Sequence, residues 1–269
     1  MKHSHRTKSI MKHFISILCV SLVTFFLCTS AAYAEWHFGI GTGLALNNVD
    51  GEQGFNTQLG PVKYDVKLDP EDFNDYTKTA IGFGGYVTDS TWLIQYSYAN
   101  IELEDKESTF VPAANSTIAT KINFKMSGAE LTVGYPVYRT PSLIVLLDGG
   151  LRYTKHKFDG NLNITGAVNA QSRRKFDHDW TDVVLGTTIT VPLAKAWSWT
   201  SRLNAGFGGS DGTYLVSTGI TWRFHKYWSV GLNGKYVSVK YENASKGDSD
   251  WYLYDADESS IGLLVLFNW

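Results

Sequence analysis

The sequence predicts an all-β chain: a transmembrane, antiparallel, up-and-down β-barrel of about ten strands, with eight and twelve as the neighbouring counts. Three observations predict it. Ten segments beyond residue 35 alternate apolar and polar residues with period two, the pattern of a strand with two unlike faces. The connections between them are alternately short and long. The final segment, residues 260–269, puts Ile261, Leu263, Val265, Phe267 and Trp269 on one face. A soluble fold rarely carries so apolar an edge, whereas about 9–11 tilted residues cross a bilayer as a β-strand.

The first residues read differently. Lys2, Arg6, Lys8 and Lys12 precede an apolar run at 14–27, followed by Ala32-Tyr33-Ala34. A basic region, an apolar region and a small-residue cleavage site predict a secretory signal peptide over 1–34, with Met11 as a second possible start. The run is short for a retained membrane helix. A lipid attachment at Cys28 is disfavoured by the bulky Leu27 before it. The mature domain is then 35–269. Cys19 and Cys28 both fall in the signal, so the mature fold must be stabilised without disulfides. A formal net charge of -2 argues against a polyanion binder, so no nucleic-acid partner is expected.

The segments follow in order. The first, 36–46, places Phe38, Ile40, Leu44 and Leu46 outward and His37, Gly39, Gly41 and Gly43 inward. The second is 76–87, the third 91–103, with Trp92, Ile94, Tyr96 and Tyr98 outward. The fourth, 120–137, changes phase: Ile122, Phe124 and Met126 are even, Leu131, Val133 and Tyr135 odd. If both sets face lipid, a β-bulge near 127–129 is required. The fifth to tenth are 142–156, 178–191, 197–208, 213–224, 228–241 and 260–269. Short turns lie at 88–90, 138–141, 194–196 and 225–227. Polar loops are expected at 48–75, 104–119, 157–177 and 242–257, and a tight one at 210–212. The alternation Val62, Tyr64, Val66, Leu68 reads as a hairpin standing above the membrane. Short turns on one side and long loops on the other suit the two ends of such a barrel.

Trp36, Trp92, Trp197, Trp199, Trp222, Trp228 and Trp269 all fall near the short-turn ends. Indole favours the headgroup zone, so they are expected to form one aromatic girdle. A soluble β-sandwich would need a second apolar layer that the opposite faces do not supply. Inward positions carry many glycines and several charges: Lys125, Glu130, Asp148, Arg152, Asp182, Arg202, Arg223 and Lys235. A narrow lumen shares its volume between Gly and large side chains, and buried charges must pair. These eight are expected to form a lumen ion-pair network. It either fixes the strands as a plug or lines a narrow passage with a mild anion preference.

No catalytic residue, metal site or cofactor is expected. Asp177-His178-Asp179 is the nearest candidate for an oriented general base, but reads better as a solvated charge cluster. Asp69-Pro70-Glu71-Asp72 lacks the ligand spacing of a calcium loop. His37 reads as a filler at the barrel mouth.

A terminal amphipathic strand ending in an aromatic, after a signal and a barrel-like strand pattern, resembles bacterial outer-membrane β-barrel proteins. The resemblance is to the small single-chain type, of OmpA/Opa-like or omptin-like size. It implies a monomer in the outer membrane, in contact with membrane lipid and lipopolysaccharide. It also implies that the C-terminal strand is read by the barrel-assembly machinery. Omptin proteases share the ten-strand number, but space their Asp and His differently from 177–179. The His and Ser of lipid A deacylase barrels have no identifiable counterpart. The expected role is structural or surface-interacting through the outer loops; the alternatives are a small-solute channel and a rim enzyme.

Overall fold

Alternation along the chain becomes a closed wall because each strand can pair on both edges. In the computed structural model, residues 35–57, 60–89, 91–112, 115–167 and 169–269 are described; the signal-peptide reading of 1–34 lies outside them. The strands are β1 (His37–Thr57), β2 (Gly60–Leu68), β3 (Thr77–Thr88), β4 (Leu93–Val111), β5 (Ser116–Thr140) and β6 (Leu143–Gly166). They continue as β7 (Ala170–Ala194), β8 (Trp197–Phe207), β9 (Gly212–His225), β10 (Trp228–Glu242) and β11 (Tyr252–Asn268). A short helix, α1 (Pro70–Tyr76), separates β2 from β3.

All pairing is antiparallel between sequence neighbours, except that β3 follows β1 and β11 returns to β1. Ten strands therefore form the ring. β2 pairs only with the outer part of β1, from Val49↔Leu68 to Thr57↔Gly60, and stands beside it. Closure by β1 and β11 runs from Gly39↔Asn268 to Phe55↔Tyr252. At the short-turn end Phe38 N–H donates to Trp269 O at 2.9 Å and Trp269 N–H to Phe38 O at 3.0 Å. A closed ring leaves no exposed edge along most of its wall.

Outside the ring lies a belt of exposed apolar side chains. It includes Phe83, Leu131, Leu147, Leu185, Leu203, Val216, Leu232 and Leu263. Such a continuous apolar surface suits hydrocarbon and not water. Above the belt the outward residues turn charged and pair across strands. Lys78 meets Glu102, Glu104 bridges Lys106 and Lys121, Asp177 bridges Lys155 and Lys157, and Arg173 meets Asp159.

Three expectations are corrected. The polar stretches 104–119 and 157–177 are mostly strand: β4 with β5, and β6 with β7, continue as long hairpins beyond the belt. The stretches 48–75 and 242–257 likewise hold the outer ends of β1 and β11, with β2 and α1. Polar residues outward and aromatic residues inward keep the period of two after the lipid-facing side has ended, so these segments look polar only on average.

The second correction removes the bulge at 127–129. β5 pairs with β4 from Ser116 to Gly134, and with β6 from Ser116 to Pro136, without a slip. Ile122, Phe124 and Met126 instead face the lumen, in phase with Glu130 and Thr132. The sequence changes phase because the lumen turns from polar to apolar, not because the strand turns over. Irregularities fall instead at Pro136/Tyr138 and Pro192/Ala194, where proline has no N–H to give the ladder, and at Thr77/Thr79 and Trp228/Val230.

The third concerns Asp69-Pro70-Glu71-Asp72, expected within a polar loop, which instead opens α1. Asp69 is its N-cap: its carboxylate accepts from the N–H groups of Glu71 at 2.9 Å and Asp72 at 3.0 Å. Pro at the first position and acids in the first turn complete a helix start.

Candidate functional site: the lumen

The lumen has a polar part and an aromatic part, built by the same inward phase of the strands. In the polar part Glu130 on β5 is gripped by two arginines. Arg152 Nε donates to Glu130 Oε2 at 2.7 Å and Arg202 Nη1 to Oε1 at 2.6 Å. Arg202 Nη2 also reaches Asp148 Oδ1 at 2.8 Å, and Thr188 Oγ1 donates to Asp148 Oδ2 at 3.0 Å. Arg152 Nη2 donates to Asn204 Oδ1 at 2.8 Å. Four strands, β5 to β8, are thereby tied through side chains as well as through backbone. Gly186 makes room: a Cβ there would sit 2.8 Å from Asn204 Cβ and 3.0 Å from Asp148 Oδ1.

The other expected network members lie elsewhere. Asp182 is fully buried and pairs with no cation among the described residues. It accepts from the N–H groups of Gly209 and Ser210 and from the hydroxyls of Ser210 and Thr213. Its role is to hold the turn between β8 and β9. Lys125 is a correction: with no bulge, its odd position faces outward, opposite Glu102. Lys235 lines the lumen cavity, without an ion pair among the described residues. Arg223 is exposed near the short-turn end, away from the Glu130 cluster.

The tryptophans of the expected girdle sit at the short-turn ends of their strands. Trp197 stacks on Trp222 at 5.6 Å, Trp269 on Phe38 at 5.5 Å, and Trp228 meets Phe267 at 5.0 Å. Trp92 packs against Tyr135 at 5.0 Å. Trp199 is half-buried and donates from Nε1 to Thr218 Oγ1 at 2.8 Å. Trp36 directly precedes β1.

The aromatic part was not anticipated. His156, Trp180, Tyr241, Tyr252 and Tyr254 are buried together with Phe124 and Phe176 against them. Trp180 stacks on Tyr241 at 4.1 Å, and His156 meets Tyr254 edge-on at 4.6 Å. His156 Nδ1 lies 2.9 Å from Tyr252 Oη. The signal was present in the inward phase: residues 156 and 158, 176, 178 and 180, and 252 and 254 are all aromatic.

Period two also disposes of the Asp177-His178-Asp179 candidate. His178 points inward, stacked on Tyr252 at 4.8 Å. Asp177 points outward, where Lys155 Nζ and Lys157 Nζ lie 2.9 and 3.3 Å from it. Neighbouring carboxylates on the opposite face cannot orient the imidazole. His37 is exposed at the barrel mouth. Among the described residues no group of three or more His, Cys, Asp or Glu is placed to hold a metal ion.

Two cavities of about 450 Å³ each occupy the lumen. One is lined by Glu130, Arg152 and Arg202 and by apolar residues including Val49, Ile101 and Val237. The other is almost wholly apolar, with Tyr64, Val66, Leu103, Phe124 and Phe158 in its wall. They share Val49, Met126 and Tyr254. Tyr64 on β2 donates to Gln53 Oε1 at 2.6 Å, and burial pushes its phenol up to about 12.

No known family profile matches this chain, and no curated protein matches it. Among solved structures it is similar to the outer membrane protease OmpT of Escherichia coli, with 10% identity and a TM-score of 0.40. That match covers 89% of this chain and 98% of the protease. It is similar to Ail, the attachment invasion locus protein of Yersinia pestis, with 12% identity and a TM-score of 0.35, covering 87% and 99%. The translocator domain of the autotransporter NalP from Neisseria meningitidis gives 10% identity and a TM-score of 0.38, over 95% and 97%. All three are small outer-membrane β-barrels. The outer-membrane architecture of this chain rests on its own closed ring, apolar belt and unequal ends.

Proposed function

We propose that this chain is an integral outer-membrane protein with a structural or surface-contact role, and that it is not an enzyme. The observation that carries the reading is the Glu130–Arg152–Arg202–Asp148 cluster. Its two carboxylates and two guanidinium groups balance in charge and tie β5, β6 and β8 together, which suits a brace better than a conduction path. The long β4–β5 and β6–β7 hairpins are the parts that reach furthest from the membrane, and their charged outer faces suit contact with lipopolysaccharide. The terminal strand β11 is the element that the barrel-assembly machinery would read, and the closed ring needs no second copy.

Planar-bilayer recording of the refolded mature protein tests this reading. The expected record shows no steady single-channel steps. Steady steps whose size changes on Arg202→Gln would establish a passage and overturn it.

A further inference from the structure

Among the described residues, the wall is interrupted within the apolar belt between β1 and β3. The β1–β3 ladder runs only from His37↔Thr88 to Thr42↔Phe83. Continuing that register would bring Leu44 opposite Ile81 and Leu46 opposite Thr79, yet no ladder forms there among the described residues. Gly43, Leu44, Ala45 and Leu46 are all exposed, and so are Lys78, Thr79, Ala80 and Ile81. In the intact wall most inward residues are buried, as are Ser229, Gly231, Val237 and Val239 on β10. Here both faces of both strands are open. Leu44, at 85% exposure, stands out even among the belt residues. Above the break, α1 bridges from Leu68 to Thr77 and buries Phe73.

We infer that this break is a lateral port from the bilayer, and that the cavity behind it binds a single-chain amphiphile with a hydrogen-bond-accepting head. Three observations support the inference. The break lies within the apolar belt, flanked outside by Leu44, Leu46 and Ile81. Unpaired backbone at that depth is tolerated only where it lines a cavity. Secondly, the half-polar cavity is lined by three consecutive residues of β1, Asn47, Asn48 and Val49. These residues directly follow Leu46, so the cavity backs onto the break. Finally, the same cavity holds donors without an acceptor. Trp180 is only 4% exposed and its Nε1–H has no partner among the described residues; Arg152 Nη1 and Arg202 Nε are in the same state. A carboxylate or carbonyl head would satisfy them, since a buried donor left unpaired costs free energy. The apolar cavity beyond Met126 would take the chain. Cavities of about 450 Å³ suit one acyl chain and not a two-chain lipid.

The test uses the mature protein in lipid nanodiscs, with the fluorescent fatty acid cis-parinaric acid as probe. Saturable binding of one probe per barrel is expected. Met126→Trp fills the junction of the two cavities and is expected to weaken binding by about tenfold or more. Trp180→Phe keeps the ring and removes the donor, and is expected to weaken binding by about fivefold, the worth of one hydrogen bond. Should Met126→Trp fail to fold, Trp180→Phe carries the binding test alone. For the port, Ala80→Cys supplies a single thiol, because Cys19 and Cys28 both precede residue 35. A bulky maleimide on that thiol should abolish probe uptake from the bilayer, while the unlabelled variant takes it up normally. Absence of saturable binding, or affinity unchanged in folded Met126→Trp and Trp180→Phe, would overturn the site. Equal uptake with and without the label would overturn the port.

Discussion

At the scale of residues, this barrel shows how a side chain is defined by its parity. Glu130, Arg152 and Arg202 are inward on three strands and converge on one another; Asp177 and Asp179 are one step out of phase with His178 and look away from it. The convergence has an energetic consequence. Removing one partner of a buried pair leaves an uncompensated charge, at about 3–5 kcal/mol. Glu130→Ala leaves Arg152 without a carboxylate and Arg202 with Asp148 alone, and is expected to lower unfolding stability in lipid by that amount, as read by urea titration. Glu130→Ala combined with Arg152→Leu is expected to recover most of the loss, because Arg202 keeps Asp148 as its partner. Asp182 is read differently in structure than in sequence. A carboxylate among inward charges suggested an ion pair, but the turn after β8 folds back to offer it two N–H groups and two hydroxyls. Nothing in strand parity reports where a later turn will bend.

At the scale of elements, strand existence was readable and strand length was not. Every ring strand was recognisable from alternation between Phe38 and Trp269. Several continue well past the lipid-facing region, because their outer ends exchange an apolar outside for an aromatic inside. The same exchange created the false bulge in β5: Phe124 and Met126 were assigned to lipid by hydrophobicity, whereas they face the lumen. Helix α1 was missed for another reason. Its 7 residues are too few to show a helical period, and only the cap marks it. Asp69→Ala removes that cap and is expected to cost about 1 kcal/mol locally, seen as faster amide exchange at Glu71 and Asp72. The ring strands should keep their protection, since α1 shares no ladder with them.

At the scale of the whole molecule, closure is what makes the apolar belt tenable. Leu203, exposed at mid-belt on β8, reports on it: Leu203→Arg is expected to cost about 2–4 kcal/mol in a bilayer. Inward Ser217→Arg places the same charge in the lumen, and is expected to spare the belt while crowding the Glu130 cluster. Comparing the two by unfolding in lipid vesicles separates the hydrocarbon cost from packing strain. Equal losses would mean that the belt does not face lipid.

By itself the amino-acid order determined the class of fold, the ten-strand ring, the unequal ends and, apart from residues 122–126 on β5, which residues face out. These follow from a local rule, since side chains alternate along any extended strand whatever its neighbours do. Only the tertiary structure decided which inward charges meet, that the outer lumen is aromatic, and that β1 and β3 part above Thr42. Those depend on which residues of different strands arrive at the same height, and that is set by the register of each pairing and by the cumulative shear around the ring. Local alternation carries no record of either.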